Sequence, residues 1–140
     1  MGDDYPRLVA LQIPPNCDLT LGMTCLDKSV PGRTVWRVRI DERFLNPAGV
    51  VQGGFLTAML DSAMGASAVT AVGERKVVVA NTEMKVSFLR AVSPGEELRV
   101  TAEVLKSGRV ISFLEAKITN ADGALVAAAS STYLVKARSE

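Results

Sequence analysis

Histidine is missing from this chain of 140 residues, and its absence excludes more chemistry than any other feature of the composition. Without imidazole there is no Ser-His-Asp or Cys-His catalysis and no histidine-ligated zinc or haem. The only two cysteines, Cys17 and Cys25, are too few for a four-thiolate metal site, and we expect reduced thiols rather than a disulfide. An enzyme with this sequence would therefore use a carboxylate, a lysine or a tyrosine as its acid–base group.

Strong charge and long apolar runs are also missing. The net charge is +1 and no run of basic residues exceeds two, so we expect no nucleic-acid partner. No stretch reaches about 18 consecutive apolar residues, and Met1–Arg7 lacks a signal-peptide pattern, so we expect no membrane partner and a cytoplasmic location. With 48% hydrophobic and 22% charged residues, the composition is that of an ordinary globular domain.

The periodic segments predict a strand, one long apolar helix and then four strands in a meander. Residues 1–32 are predicted to be an irregular or partly helical lead-in, because Pro6, Pro14 and Pro15 interrupt it, and residues 33–140 to be the folded domain. Alternating apolar and polar residues between turn signals predict strands at Thr34–Asp41, Lys76–Arg90, Glu97–Lys106, Arg109–Asn120 and Ala124–Lys136.

The predicted helix, Phe55–Val72, is hydrophobic nearly all round, so it must be covered on most sides. A strongly bent sheet wrapped around the helix would cover it, and a dimer that extends the sheet would complete the cover. Asp61 is the lone carboxylate of this helix, and desolvating an unpaired carboxylate costs several kcal/mol or more. Asp61 is therefore either a structural hydrogen-bond anchor or a reactive group in a pocket.

These segments resemble the hotdog-fold acyl-CoA thioesterases, in particular the phenylacetate-pathway and 4-hydroxybenzoyl-CoA thioesterase-like branch. That branch has an asparagine, a short loop, His-Gly-Gly and then an acidic residue two helical turns later, as in Asn46–Gly54 and Leu60–Ala63 of this chain. Glu83–Arg90 of this chain resembles the next strand of the family, and Val104–Arg109 resembles the family's hairpin. The resemblance covers about residues 33–135.

The resemblance implies an α+β hotdog fold, in which a curved antiparallel β-sheet wraps around one long apolar helix. It implies a homodimer that assembles into a homotetramer, with active sites at the dimer interface where Asp61 of one subunit faces the Gly53 region of the other. The implied activity is hydrolysis of an acyl-CoA or aryl-CoA thioester to the free acid and CoA, without a cofactor or a metal ion.

The resemblance also assigns catalytic residues. Asp61 matches the catalytic carboxylate, which acts as a general base on water or as a nucleophile that forms a mixed anhydride. Gly53 matches the glycine whose N–H, at the helix N-terminus, polarises the thioester carbonyl. Asn46 matches a loop asparagine that places the water or the carboxylate, although an Asn-Pro turn is its alternative role. Thr82 matches a group that binds the attacking water, with Asn81 as the alternative position.

Gln52 departs from the family pattern, because it stands where the family commonly has histidine. Glutamine donates hydrogen bonds but cannot become cationic or shuttle protons. This departure leaves a second interpretation open, in which the chain binds or senses acyl-CoA without hydrolysing it. A hydratase or dehydratase is disfavoured by the missing histidine, and a structural protein with a vestigial site would bind CoA poorly.

Candidate substrate contacts complete the prediction. Arg90, Lys106 and Arg109 are candidates for the CoA phosphates, because such cations suit phosphate groups. Met59 is a candidate for the lining of an acyl pocket, and Gly54 lies beside the predicted oxyanion position. Alternatively, each of the three cations is a solvent-exposed charge at the end of a strand, and Met59 is a residue of the hydrophobic core.

Overall fold

The structure, a computed structural model, describes residues 12–137. Its helices and strands are, in chain order, α1 (Asn16–Leu21), β1 (Met23–Asp27), β2 (Arg33–Arg39), α2 (Gly53–Ala71), β3 (Val77–Phe88), β4 (Glu97–Ser107), β5 (Ile111–Thr119) and β6 (Leu125–Ala137). The strands form one antiparallel sheet in the order β1-β2-β4-β5-β6-β3, and α2 packs against β2 to β6. The predicted α+β architecture, one antiparallel sheet that covers one long helix, is confirmed.

Strands β2 to β6 and helix α2 lie where the sequence predicted them. The alternation in each strand places its apolar residues on the face that packs against α2, as with Leu98, Val100 and Ala102 of β4. The buried residues of α2 all lie on one side of the helix, the side that the sheet covers, and they are Leu56, Met59, Leu60, Ala63, Met64, Ser67 and Ala68. Met59 and Leu60 have no exposed surface. Fully burying one such side chain contributes about 1.5–3 kcal/mol relative to leaving it exposed.

The predicted four-strand meander is wrong, because β3 does not pair with β4. Instead β3 pairs with β6 at one edge of the sheet, β4 pairs with β2, and only β4, β5 and β6 form a meander. In this order β2 and β3 lie on either side of the β4–β5–β6 meander, and both strands contact α2 and contribute apolar residues to the core, among them Trp36 and Val86.

The described part of the lead-in contains the short helix α1 and the strand β1, which the sequence did not predict. Strand β1 is an edge strand that pairs only with β2, and most of its residues after Met23 are exposed. Such a strand shows little apolar alternation, so the sequence pattern did not reveal it. Pro6 lies outside the described residues.

A bulge at Thr82 shifts the register of β3 against β6. Asn81 pairs with Tyr133, and Glu83 pairs with Thr132, so Thr82 is the extra residue. The inserted residue places the side chains of both Asn81 and Met84 on the α2 side of the strand.

Between residues 12 and 137 no helix has the length and apolarity that a membrane span needs.

Candidate active site

Asp61 lies in the middle of α2, where the helix packs beside β3 and β6. Its side chain is exposed in the single chain, yet it is anchored: Oδ1 accepts hydrogen bonds from Asn81 Nδ2, at 3.1 Å, and from the Tyr133 hydroxyl. The same hydroxyl also lies 2.9 Å from the backbone carbonyl oxygen of Asp61, so the two oxygens share its one proton. No donor among residues 12–137 reaches Oδ2. The carboxylate is therefore held through one oxygen and open at the other.

Tyr133 is the buried end of this arrangement, with 1% of its surface exposed. Burial, and then the hydrogen bond to Asp61 and its negative charge, raise the pKa of Tyr133 well above the ordinary value, against a smaller lowering by Asn81. Burial disfavours a phenolate, and a neighbouring carboxylate disfavours it further. The hydroxyl is therefore protonated at neutral pH and is available as a donor to Asp61.

Ser131 fixes the orientation of the Asn81 amide. Its Oγ lies 2.6 Å from Asn81 Oδ1 and 2.6 Å from the backbone carbonyl oxygen of Glu83. With Oδ1 facing the serine hydroxyl, Nδ2 of Asn81 points to the Asp61 carboxylate. We refer to Asp61, Asn81, Ser131 and Tyr133 as the carboxylate network.

Gly53 and Gly54 open α2, and Gln52 precedes them as the N-cap residue. The exposed Gln52 side chain makes no capping hydrogen bond, so it does not occupy the first N–H groups of the helix. A Cβ atom at Gly53 would lie 3.0 Å from the Phe88 ring, which leaves little room for a side chain there. The helix N-terminus thus presents backbone N–H groups and the positive end of the helix dipole beside a ring.

Gly53 and Asp61 are not brought together within one chain. They are eight positions apart on α2, which corresponds to about 12 Å along the axis. An N–H donor and a carboxylate that act on one carbonyl group must both be within a few ångströms of it. Within one chain, these two groups therefore cannot act on the same carbonyl group.

Asn46 has the turn role that the sequence left as its alternative. Its Oδ1 accepts hydrogen bonds from the N–H groups of Ala48, at 2.9 Å, and Val50, at 3.3 Å. The Asn46 N–H donates to the carbonyl of Val50 at 2.8 Å, which closes the loop. These bonds fix the loop that leads into Gln52 and the start of α2.

Thr82 does not contact Asp61. Its hydroxyl donates to the backbone carbonyl of Thr132 at 2.9 Å, and its side chain is exposed. Asn81, the alternative position in the sequence prediction, is the residue that reaches the carboxylate. The bulge is the reason, because it turns Thr82 away from the α2 side of β3.

The candidate substrate contacts are dispersed in the single chain. Met59 is fully buried in the core and lines no open surface. Arg90 follows β3 near the end that covers Gly53, whereas Lys106 and Arg109 lie at the β4–β5 hairpin toward the other end of the sheet. All three cations are exposed, and one chain does not gather them into a single cluster.

A groove that the sequence did not predict lies between α1 and the start of α2. Its volume is about 420 Å³, and its lining residues are Cys17, Thr20, Leu21, Gln52, Gly54, Phe55 and Ala58. Apolar side chains form much of the wall, and the first turn of α2 forms one end. The groove adjoins the helix N-terminus, so a ligand whose carbonyl contacts the N–H groups there could extend an apolar group into it.

Tyr133 and Ser131 were also missed by the sequence analysis. In sequence they belong to an ordinary strand of alternating small and apolar residues, and nothing near them marks a site. The signal is the register of β3 against β6, which pairs Asn81 with Tyr133 and Met84 with Ser131. A prediction that paired β3 with β4 could not reveal it.

Comparisons with known proteins agree with this geometry. The sequence model of the thioesterase superfamily matches residues 48–127. The human acyl-coenzyme A thioesterase 13 is 30% identical over 113 residues, which are 80% of this chain and 79% of that protein. The phenylacetic acid degradation-related protein of Ralstonia eutropha JMP134 is 33% identical, with a TM-score of 0.77 over 86% of this chain and 89% of that one. The smu.793 protein of Streptococcus mutans UA159, solved with acetyl CoA bound, has a TM-score of 0.77 at 17% identity, over 84% of this chain and 91% of that one.

Proposed function

The chain belongs to the thioesterase superfamily and is a thioester hydrolase with the α+β hotdog fold, and we propose that it hydrolyses acyl-CoA or aryl-CoA thioesters with Asp61 as the reacting carboxylate. The observation that carries this proposal is the Asp61 side chain, which is fixed on an apolar helix and exposed at its free oxygen. The CoA substrate is supported by the name of the human relative and by the acetyl CoA bound to the Streptococcus protein.

Two chemical routes are open to this carboxylate. As a general base, Asp61 takes a proton from water while the water oxygen bonds to the thioester carbon; the C–S bond then breaks and the CoA sulfur receives a proton. As a nucleophile, Asp61 bonds to the carbonyl carbon and expels CoA thiolate, and water then hydrolyses the mixed anhydride. Both routes place negative charge on the carbonyl oxygen, which the Gly53 N–H and the helix dipole stabilise.

The distance along α2 leads us to place each active site between two copies of the chain. Asp61 of one copy then faces Gly53 of the other, since about 12 Å separates the two residues within one copy. Edge strand β3 carries Asn81 next to Asp61, and an edge strand has unpaired backbone groups that can extend a sheet. The homodimer is part of this proposal, whereas the homotetramer and the cytoplasmic location stay predictions from the sequence.

The groove between α1 and α2 offers a position for the acyl group. Gln52 and Gly54 lie at the end of the groove formed by the first turn of α2, and Phe55 and Ala58 continue its apolar wall. In this arrangement the Gln52 amide donates a hydrogen bond to the acyl carbonyl, beside the Gly53 N–H. The exposed cations, Arg90, Lys106 and Arg109, remain candidates for the CoA phosphates.

One observation favours a second function, in which the protein binds acyl-CoA without hydrolysing it. Gln52 occupies the position where the family commonly has histidine, and glutamine cannot move a proton to the leaving group. A binding protein would retain affinity for acyl-CoA and release no thiol, so one assay separates the two functions.

The test is release of free thiol from a panel of aliphatic and aryl acyl-CoAs, followed with a chromogenic disulfide reagent. We expect Asp61→Asn to lower kcat at least about 100-fold, since acid–base and covalent groups contribute that much or more. Asp122→Asn, at a carboxylate in the turn between β5 and β6, is the matched control and should retain activity. Turnover that survives Asp61→Asn would contradict the mechanism; acyl-CoA binding by a wild type without turnover would indicate the binding function.

A further inference from the structure

We infer that Tyr133 and Asn81 are positioning residues that hold the Asp61 carboxylate through Oδ1, so that Oδ2 is the oxygen that reacts. The inference rests on the proposed function, because it assigns roles around the same carboxylate. Neither residue touches the thioester in this scheme. They act on Asp61, by fixing its rotamer.

The two oxygens of Asp61 have different surroundings. Oδ1 accepts from the Tyr133 hydroxyl and from Asn81 Nδ2, whereas no donor within residues 12–137 reaches Oδ2. A carboxylate oxygen that already accepts two hydrogen bonds has less electron density to offer to water or to a carbonyl carbon. The reaction should therefore proceed at Oδ2.

Tyr133 anchors the carboxylate to the rigid part of the fold. Its ring is buried in β6, and its hydroxyl contacts both the backbone carbonyl and the side chain of Asp61. This double contact fixes the side chain relative to its own helix turn. Ser131 performs the corresponding task for Asn81, since it sets which end of the amide faces Asp61.

The experiment measures kcat, KM and the free energy of unfolding for wild type, Tyr133→Phe, Asn81→Ala and Thr34→Val. Phenylalanine keeps the buried ring and removes only the hydroxyl. Thr34→Val is the matched control, because it removes a buried hydroxyl that bonds to α2 at Ala63 and not to Asp61. In Tyr133→Phe and Asn81→Ala we expect kcat to fall about 5- to 30-fold with little change in KM, since positioning effects of this size follow from small misplacement. Thr34→Val should lose stability and keep the wild-type kcat.

The inference is overturned if Tyr133→Phe and Asn81→Ala both keep the wild-type kcat, or if Thr34→Val lowers kcat equally. Asn81 lies at the edge of the sheet, so its variant decides the matter if Tyr133→Phe does not fold. A wild type without turnover would contradict the proposed function alone. The ¹³C chemical shift of the Asp61 carboxyl carbon, compared at one neutral pH in the same proteins, then decides the inference: loss of a hydrogen bond to Oδ1 should change it in the first two variants only, and an unchanged shift would overturn the inference.

Discussion

Two hydrogen-bond networks connect α2 to the sheet, and they differ in charge and in completeness. The first, which we call the buried network, joins Thr34 and Trp36 of β2 to Ser67 of α2 and to the carbonyls of Ala63 and Ala102. Its distances run from 2.7 Å, between the two hydroxyls, to 3.1 Å. Every group in it is neutral and buried. The carboxylate network, centred on Asp61, contains a charge and one acceptor oxygen that no described residue occupies.

The difference shows how one helix combines a structural connection with a functional one. A closed neutral network stabilises a single packing arrangement, and it has no unoccupied donor or acceptor that could bind a ligand. No buried side-chain polar atom among the described residues lacks a partner, so the core of α2 follows this rule throughout. The carboxylate network uses the same kinds of donor but leaves an oxygen open at the surface, which is what a reacting group requires.

The largest expected effect is the separation of activity from stability at Asp61. Asp61→Asn preserves the shape and the Oδ1 acceptor, so we expect the free energy of unfolding to change by less than about 1 kcal/mol. Turnover should nevertheless fall at least about 100-fold. Urea denaturation and the thiol-release assay on one preparation measure both. A variant that loses stability and activity together would make the carboxylate network a structural feature like the buried one.

Ser67→Ala should give the opposite result. Removing this hydroxyl deletes its buried hydrogen bonds to Thr34 and to the Ala102 carbonyl, each of which contributes about 0.5–1.5 kcal/mol to the free energy of folding. The kcat of the folded protein should stay within about twofold of wild type, because Asp61 keeps all of its contacts. Ser62→Ala on the same helix is the stability control. A large fall in kcat would show that the two networks are coupled through α2.

Alkaline pH should affect only the carboxylate network. The pKa of Tyr133 is raised above its ordinary 10.0 in the folded protein, so the unfolded chain releases the phenolic proton first. The stability that this group contributes is complete below about pH 10 and is lost above it, by about 1.4 kcal/mol per pH unit. Denaturation at several alkaline pH values should show a steeper loss in wild type than in Tyr133→Phe. Equal slopes would contradict the assigned environment of Tyr133.

The smallest expected effect is at Gln52, which belongs to neither network. Its side chain makes no capping bond, so Gln52→Ala should change stability by less than about 0.5 kcal/mol. Loss of one hydrogen bond to the acyl carbonyl should lower kcat/KM about 3- to 10-fold. Gln12→Ala, at an exposed glutamine that donates to Asn16, is the control. An unchanged kcat/KM would remove Gln52 from the site.

The sequence predicted the elements well and their neighbours less well. Alternation is a local property, so it located the strands and the helix, and the lone charge of α2 drew attention to Asp61. Which strand lies beside which is decided by contacts between distant segments. The pairing of β3 with β6, rather than β4, therefore could not be derived from periodicity.

The site was predictable only where a residue stands out locally. Gly53 opens a helix and Asp61 breaks an apolar run, and both signals can be seen in the sequence. Tyr133 resembles any core residue of a strand, and its role depends on the β3–β6 register. The resemblance matches Thr82 to the water-binding group, with Asn81 as the alternative, and an inserted residue cannot be recognised in an alternating pattern.

The bulge at Thr82 changes which residues of β3 have side chains that face α2. Before it, the odd-numbered Val79 and Asn81 face the helix; after it, the even-numbered Met84 and Val86 do. With the bulge, β3 places the Asn81 amide beside Asp61 and also packs the apolar Met84 and Val86 against the core. A regular alternation would place only one of these two sets on the α2 side of the strand. Deleting this single exposed residue would restore a regular strand, and one of the two halves would then turn its helix-facing side chains to the solvent.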